Sequence, residues 1–113
     1  MKFIVKSPKT VLLFLMLLLS FSVYSQTIKV ACVGNCLTYG HNIKNPGINT
    51  YPAQLQQLLG EAYEVENFGH SGATVLKNGH KPYYTKEAYK NSIAFEPNIV
   101  IIHLGLNDQG LNN

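Results

Sequence analysis

The chain has 113 residues, nine basic and six acidic, with two cysteines and no tryptophan. That length holds one domain at most, and two cysteines are too few for a disulfide scaffold. Every basic residue is a lysine. Lys2, Lys6 and Lys9 stand near the N-terminus, and the other six match the six acids, so the formal charge of +3 belongs to the N-terminal stretch and leaves no basic face for nucleic acid or an anionic membrane.

In chain order, residues 1–25 read as an export signal. Three lysines form the basic region, residues 11–19 are unbroken apolar, residues 20–23 finish that run, and Val23-Tyr24-Ser25 precedes a cut before Gln26. An uncleaved anchor would need roughly 20 apolar residues, and this run is shorter. The expected product is periplasmic or extracellular, with no stable membrane anchor. A lipidated Cys32 is disfavoured, because Lys29 stands at −3 and the apolar region has already ended.

Residues 27–33 (Thr-Ile-Lys-Val-Ala-Cys-Val) read as a strand that stops at Gly34. An extended chain advances about 3.3 Å per residue. Cys32 and Cys36 then lie beyond the ~7 Å Cα limit of a disulfide unless the turn folds back, so two free thiols are expected. No Cys or His spacing suits zinc, and neither a metal nor an organic cofactor is expected. Residues 34–50 read as loop, with a short helix starting after Cys36. A helix follows, capped by Asn49 or Thr50, with Pro52 in its first turn, Leu55, Leu58 and Leu59 as its buried face, and Gly60 as its stop. Residues 63–68 alternate, as in a half-exposed strand at a sheet edge. After a loop over 69–79, residues 85–95 form a second helix, ended by Pro97. Residues 99–104 (Ile-Val-Ile-Ile-His-Leu) are nearly all apolar, the signature of a strand covered on both faces.

Strand, helix, strand, helix, strand is an α/β order with parallel strands and right-handed crossovers. Ligands of such sheets bind at the carboxyl ends of the strands. The three ends are Gly34-Asn35-Cys36, Gly69-His70-Ser71-Gly72 and Gly105-Leu106-Asn107-Asp108, and each combines glycine with polar residues. Blander readings exist: a tight turn at 34–40, or a helix cap at Asn107-Asp108. A phosphate loop is excluded, since no G-K-[ST] follows. Tyr83, Tyr84 and Tyr89 read either as sugar-stacking residues or as packing for the second helix.

Gly34-Asn35-Cys36-Leu37-Thr38-Tyr39-Gly40 resembles the G-D-S-L block of SGNH/GDSL esterases and acylhydrolases. Gly69-His70-Ser71-Gly72-Ala73-Thr74 resembles their second block, and Gly105-Leu106-Asn107-Asp108 their G-x-N-D block. Lys81-Pro82-Tyr83-Tyr84 and Phe95-Glu96-Pro97-Asn98 are similar to bacterial carbohydrate O-acetylesterases of the sialate-esterase-like branch. The resemblance implies a three-layer, flavodoxin-like parallel-sheet fold. Residues 26–113 would be its N-terminal portion only, because the family sheet has about five strands and three are visible here. A strand order of 2-1-3 would leave the strand at 99–104 as an unpaired apolar edge, an aggregation hazard.

Carried onto this sequence, the resemblance makes Cys36 the nucleophile position. The backbone N–H groups of Cys36 and Gly72 and the side-chain amide of Asn107 become the oxyanion donors, and Asn35, His70 and Asp108 substrate contacts. Such donors are needed because the tetrahedral intermediate develops negative charge as it forms. The sequence departs from the pattern in three places. Cys36 replaces the usual serine, Asn35 replaces the usual aspartate, and residues 1–113 contain no D-x-x-H block to supply the general base. None of His41, His70, His80 and His103 stands in such a block; His103, within a strand, reads as a core or lining residue. The expected function is an exported carboxylic ester hydrolase that deacetylates carbohydrate or other small acyl esters through an acyl-enzyme. The alternatives are a non-catalytic carbohydrate-binding relative and an inactive gene remnant.

Overall fold

In the computed structural model, residues 7–19 and 24–112 are described. The basic start of the leader at Lys2 and Lys6, and Val23 at the expected cut, lie outside the described residues. A helix α1, Pro8–Leu19, covers the apolar run with every residue exposed. No helix among the described residues is long and apolar enough to cross a membrane.

The sheet has three parallel strands: β1 (Ile28–Gly34), β2 (Tyr63–Gly69) and β3 (Ile99–His103), in the order β2-β1-β3. This is the expected 2-1-3 order. Strand β1 takes the centre because its run from Val30 to Gly34 has no charge and is buried throughout. Its register pairs Cys32 with Asn67 and Ile101, and Gly34 with Gly69 and His103. Paired residues of parallel strands share a face, so Val30, Cys32 and Gly34 look one way, and Ala31 and Val33 the other.

Helices cover both faces. On the Cys32 side lie α2 (Cys36–Tyr39), α3 (Pro46–Asn49) and α4 (Tyr51–Leu59). Thr50 caps α4, its Oγ1 accepting the Ala53 N–H at 3.4 Å, and Gly60 ends it, as its sequence predicts. On the Ala31–Val33 side lie a 3₁₀ turn, Tyr83–Thr85, and α5 (Glu87–Ala94). There Val33, Ala73 and Tyr83 form a small core, with Phe68, Ala88 and Leu104 packed against it. The fold is three-layered α/β, a partial SGNH-like domain.

Three sequence readings are corrected. Leu58 is 84% exposed rather than part of the buried face of α4, while Leu55 and Leu59 are half-buried. The strand at 99–104 is not covered on both faces: every residue of β3 is exposed, His103 included, because no further strand or helix flanks it among the described residues. Within the expected loop at 34–50, residues Pro46–Asn49 form a helical turn, with Pro46 at the start where a missing N–H costs nothing.

Candidate active site

The three loops at the carboxyl ends of the strands meet. The Asn35 N–H donates to His103 O at 3.2 Å, and the His70 N–H to Gly34 O at 2.9 Å. The end of β1 is thus hydrogen-bonded to the ends of both neighbours, and residues from all three loops share one rim of the sheet.

Asn35 is fully buried and has extended backbone. Its Oδ1 accepts the Leu37 N–H at 3.1 Å and caps α2, a role for which asparagine and aspartate are equally suited. The amide's other end has no counterpart: Nδ2 is buried without a hydrogen-bond partner. A carboxylate here would present a second acceptor instead of an orphan donor. Cys36 follows as the first residue of α2, half-buried, its thiol free. Its N–H, in the first turn, has no intrahelical acceptor.

A four-residue helix cannot hold its own orientation, so its neighbours set it. The Thr38 hydroxyl shares a 3.2 Å hydrogen bond with the Tyr51 hydroxyl. Cys32 is fully buried, and burial pushes its thiol pKa up, with Tyr51 opposing. The Thr38 carbonyl accepts from Asn67 Nδ2 at 2.7 Å. Gly69 completes the seat: a Cβ there would stand 2.3 Å from the Tyr39 nitrogen, so only glycine lets α2 lie against the end of β2.

The second loop turns at Gly72, whose φ of +78° favours glycine. The Ala73 N–H closes the turn onto His70 O at 3.1 Å. Below it, the Tyr83 hydroxyl donates to Phe68 O at 2.6 Å, and burial pushes its pKa up to about 12. Tyr83 is therefore a packing residue; Tyr84 and Tyr89 are exposed. The His70 side chain is held below its usual pKa, first by burial and then by the nearby charges of Lys86 and Lys81, so it is a neutral imidazole near pH 7.

The third loop is a 3₁₀ segment, Leu106–Asn112. Asn107 Nδ2 donates to Ala73 O at 3.0 Å, which places its amide beside the Gly72 turn with one N–H still uncommitted. Asp108 accepts the Val75 N–H at 3.1 Å through Oδ1 and the Leu76 N–H at 2.8 Å through Oδ2. Both oxygens are thereby occupied in holding the second loop.

The structure therefore gathers Asn35, Cys36, His70, Gly72, Asn107 and Asp108 at one end of the sheet. It does not gather a base. His41 and His80 are exposed, and among the described residues no histidine side chain hydrogen-bonds Cys36 or a carboxylate. Sequence reading missed Thr38, Tyr51 and Asn67. Their partners lie 13 to 29 residues away, and no local pattern signals such contacts.

A three-layer parallel α/β sheet with glycine-bearing polar loops at its strand ends is an SGNH-like arrangement. The family model for GDSL-like lipases and acylhydrolases matches residues 32–113, and the chain belongs to that family. Over 86 residues it is 46% identical to an acetylxylan esterase of Xylanibacter ruminicola, a match that takes in 76% of this chain and 18% of that relative. The chain thus spans about a fifth of the length of that relative.

Proposed function

We propose that the protein is an exported ester hydrolase that removes acetyl groups from a carbohydrate, with Cys36 as nucleophile. The observation that carries this reading is the tie between Asn107 Nδ2 and Ala73 O. It brings a side-chain amide from the third loop to the Gly72 turn, while β1 delivers Cys36 at the same rim. Three N–H donors then converge: Cys36 and Gly72 from the backbone, Asn107 from its side chain. A xylan-type substrate class is supported by the relative's name, and His70, neutral and beside the turn, is suited to touch a sugar hydroxyl.

The proposed chemistry is an acyl-enzyme sequence. The Cys36 sulfur attacks the ester carbonyl and gives up its proton to a base. The carbonyl oxygen takes the negative charge and is held by the three donors; losing one such donor typically costs about 10²–10³ in rate. The intermediate collapses to a thioester on Cys36, and the carbohydrate alkoxide leaves with a proton. Water, deprotonated by the same base, releases acetate and restores the thiol. Residues 1–113 contain no D-x-x-H block to supply that base. Asp108 is assigned to holding the loop rather than to direct substrate contact, since both its oxygens are occupied.

Export rests on residues 1–25. The helix Pro8–Leu19 has 12 residues and extends about 18 Å at 1.5 Å per residue, short of a hydrocarbon core of about 30 Å.

The test is hydrolysis of p-nitrophenyl acetate and acetylated xylo-oligosaccharides by the protein and by Cys36→Ser and Cys36→Ala, with mass spectrometry for an acetyl adduct. Expected are an acetyl adduct on Cys36 and its loss with Cys36→Ala. With no D-x-x-H block in residues 1–113, Cys36→Ser should form less adduct than the native thiol, because a hydroxyl needs a base to become a nucleophile. Absence of adduct and turnover in the native and serine forms would sink the enzyme reading. Sugar binding retained without hydrolysis would favour a non-catalytic relative.

A further inference from the structure

We propose that Asn67 is a positioning residue that sets the spacing between the Cys36 and Gly72 backbone donors; this rests on the ester-hydrolase reading above. Asn67 sits near the end of β2, on the face that carries α2 and α4. Both ends of its amide are in use. Nδ2 donates to Thr38 O at 2.7 Å, and Oδ1 accepts the Gly69 N–H at 2.9 Å. Thr38 stands two residues after Cys36 in the same short helix, and Gly69 opens the turn that ends at Gly72. One side chain therefore joins the two elements that carry the two backbone donors.

The other ties do not perform this task. The Asn35 cap and the Thr38–Tyr51 bond hold α2 to its own N-terminus and to α4. The His70 N–H on Gly34 O holds the second loop to β1. Asn107 and Asp108 hold that loop to the third one. Among the described residues, only Asn67 hydrogen-bonds both α2 and the start of the second loop through its side chain. It is also exposed, so replacing it removes no core packing. The residue type is specific: donor and acceptor must lie on one planar group at this length. Aspartate keeps the acceptor for Gly69 but faces the Thr38 carbonyl with an oxygen. Alanine keeps neither.

Catalysis is sensitive to such alignment, since displacement of a group by about 1 Å can cost on the order of 10² in rate. Asn67→Asp and Asn67→Ala are compared with the native chain by steady-state kinetics on p-nitrophenyl acetate, by amide hydrogen exchange, and by iodoacetamide labelling of Cys32, the buried thiol that reports an intact fold. The expected result is a fall in kcat of about 10- to 100-fold with KM little changed, the mark of an interaction made in the transition state. Exchange protection at Tyr39 and Gly40 should fall in both variants, and protection at Gly69 in the alanine variant alone. Cys32 should stay unlabelled. A kcat within about threefold of native in both variants overturns the proposal. So does labelling of Cys32 in both, which makes the role purely one of stability. If the native chain hydrolyses nothing, the ester-hydrolase reading fails by itself. Exchange then decides for Asn67: unchanged protection at Tyr39 and Gly40 in Asn67→Asp overturns the positioning role, and lost protection upholds it.

Discussion

The two edges of the sheet are finished in opposite ways. At the β2 edge, Gln56 of α4 acts as a fragment of a strand: its Oε1 accepts the Val65 N–H at 2.6 Å, and its Nε2 donates to Tyr63 O at 2.8 Å and to Gly60 O at 3.1 Å. Glu64 and Glu66 stand exposed there, and charge on an edge discourages pairing with another chain. At the β3 edge nothing comparable exists among the described residues. Ile99, Val100, Ile101 and Ile102 are 46, 49, 37 and 66% exposed. Val100, Ile102 and Leu104 join Tyr89 and Ile93 in lining an apolar groove of about 500 Å³. One edge is closed by design; the other has the composition of an interior strand.

The difference bears on the site. Cys36 and Gly72 belong to elements seated against the closed edge, by Gly69, Asn67 and Tyr83. Asn107 and Asp108 follow the open strand, and three side-chain hydrogen bonds to the second loop hold them in place. The part of the site nearest the finished edge is seated by backbone fit at Gly69 and by the Asn67 side chain, and the part nearest the bare edge is tied to the second loop through the Asn107 and Asp108 side chains.

Substitutions at the two edges should therefore cost very different amounts. The largest effect is expected at the closed edge from Gly69→Ala, whose Cβ would meet the Tyr39 backbone at 2.3 and 2.7 Å. The backbone cannot yield as a side chain can, so a loss of about 3 kcal/mol is expected by urea denaturation, at the upper end of ordinary overpacking. Next is Gln56→Ala, which leaves the Val65 N–H and the Tyr63 carbonyl unpaired. About 2 kcal/mol is expected in the same measurement, because unmade hydrogen bonds of part-buried groups cost more than made ones contribute. The smallest stability effect belongs to the open edge. Ile102→Lys should stay within about 0.5 kcal/mol of the native chain, as an exposed substitution does. Yet it should lower self-association measurably by light scattering, because a lysine blunts an apolar edge. A large loss of stability from Ile102→Lys, or none from Gln56→Ala, would break the contrast between the edges.

How much of this was legible follows the range of each interaction. The strand of β1 was readable because its apolar run is continuous, and α4 because Thr50 and Gly60 are local start and stop signals. The boundaries of β1 and β2 each shifted by a residue, taking in Gly34 and Gly69. Leu58 was misread because periodicity marks a stripe on a helix and says nothing of which of its positions a neighbour covers. The core reading of His103 failed for a related reason: a strand's composition reports the burial it suits, not the neighbours it has. The rim residues Asn35, Cys36, His70, Gly72, Asn107 and Asp108 were legible as motifs. That Asp108 fastens a loop with both oxygens was not.

The sequence by itself determined the element order, the parallel α/β class, the family and the three loops that meet at one rim of the sheet. These depend on neighbours a few residues apart, on glycine stops and on apolar runs. Only the tertiary structure decided which groups hold the site in register: Asn67 on Thr38, Asn107 on Ala73, Asp108 on Val75 and Leu76, and Gln56 on the edge of β2. Such contacts join residues brought together by the crossing of the chain over the sheet. Polar side chains of this kind carry no periodicity, so their partners emerge only once the strands are aligned.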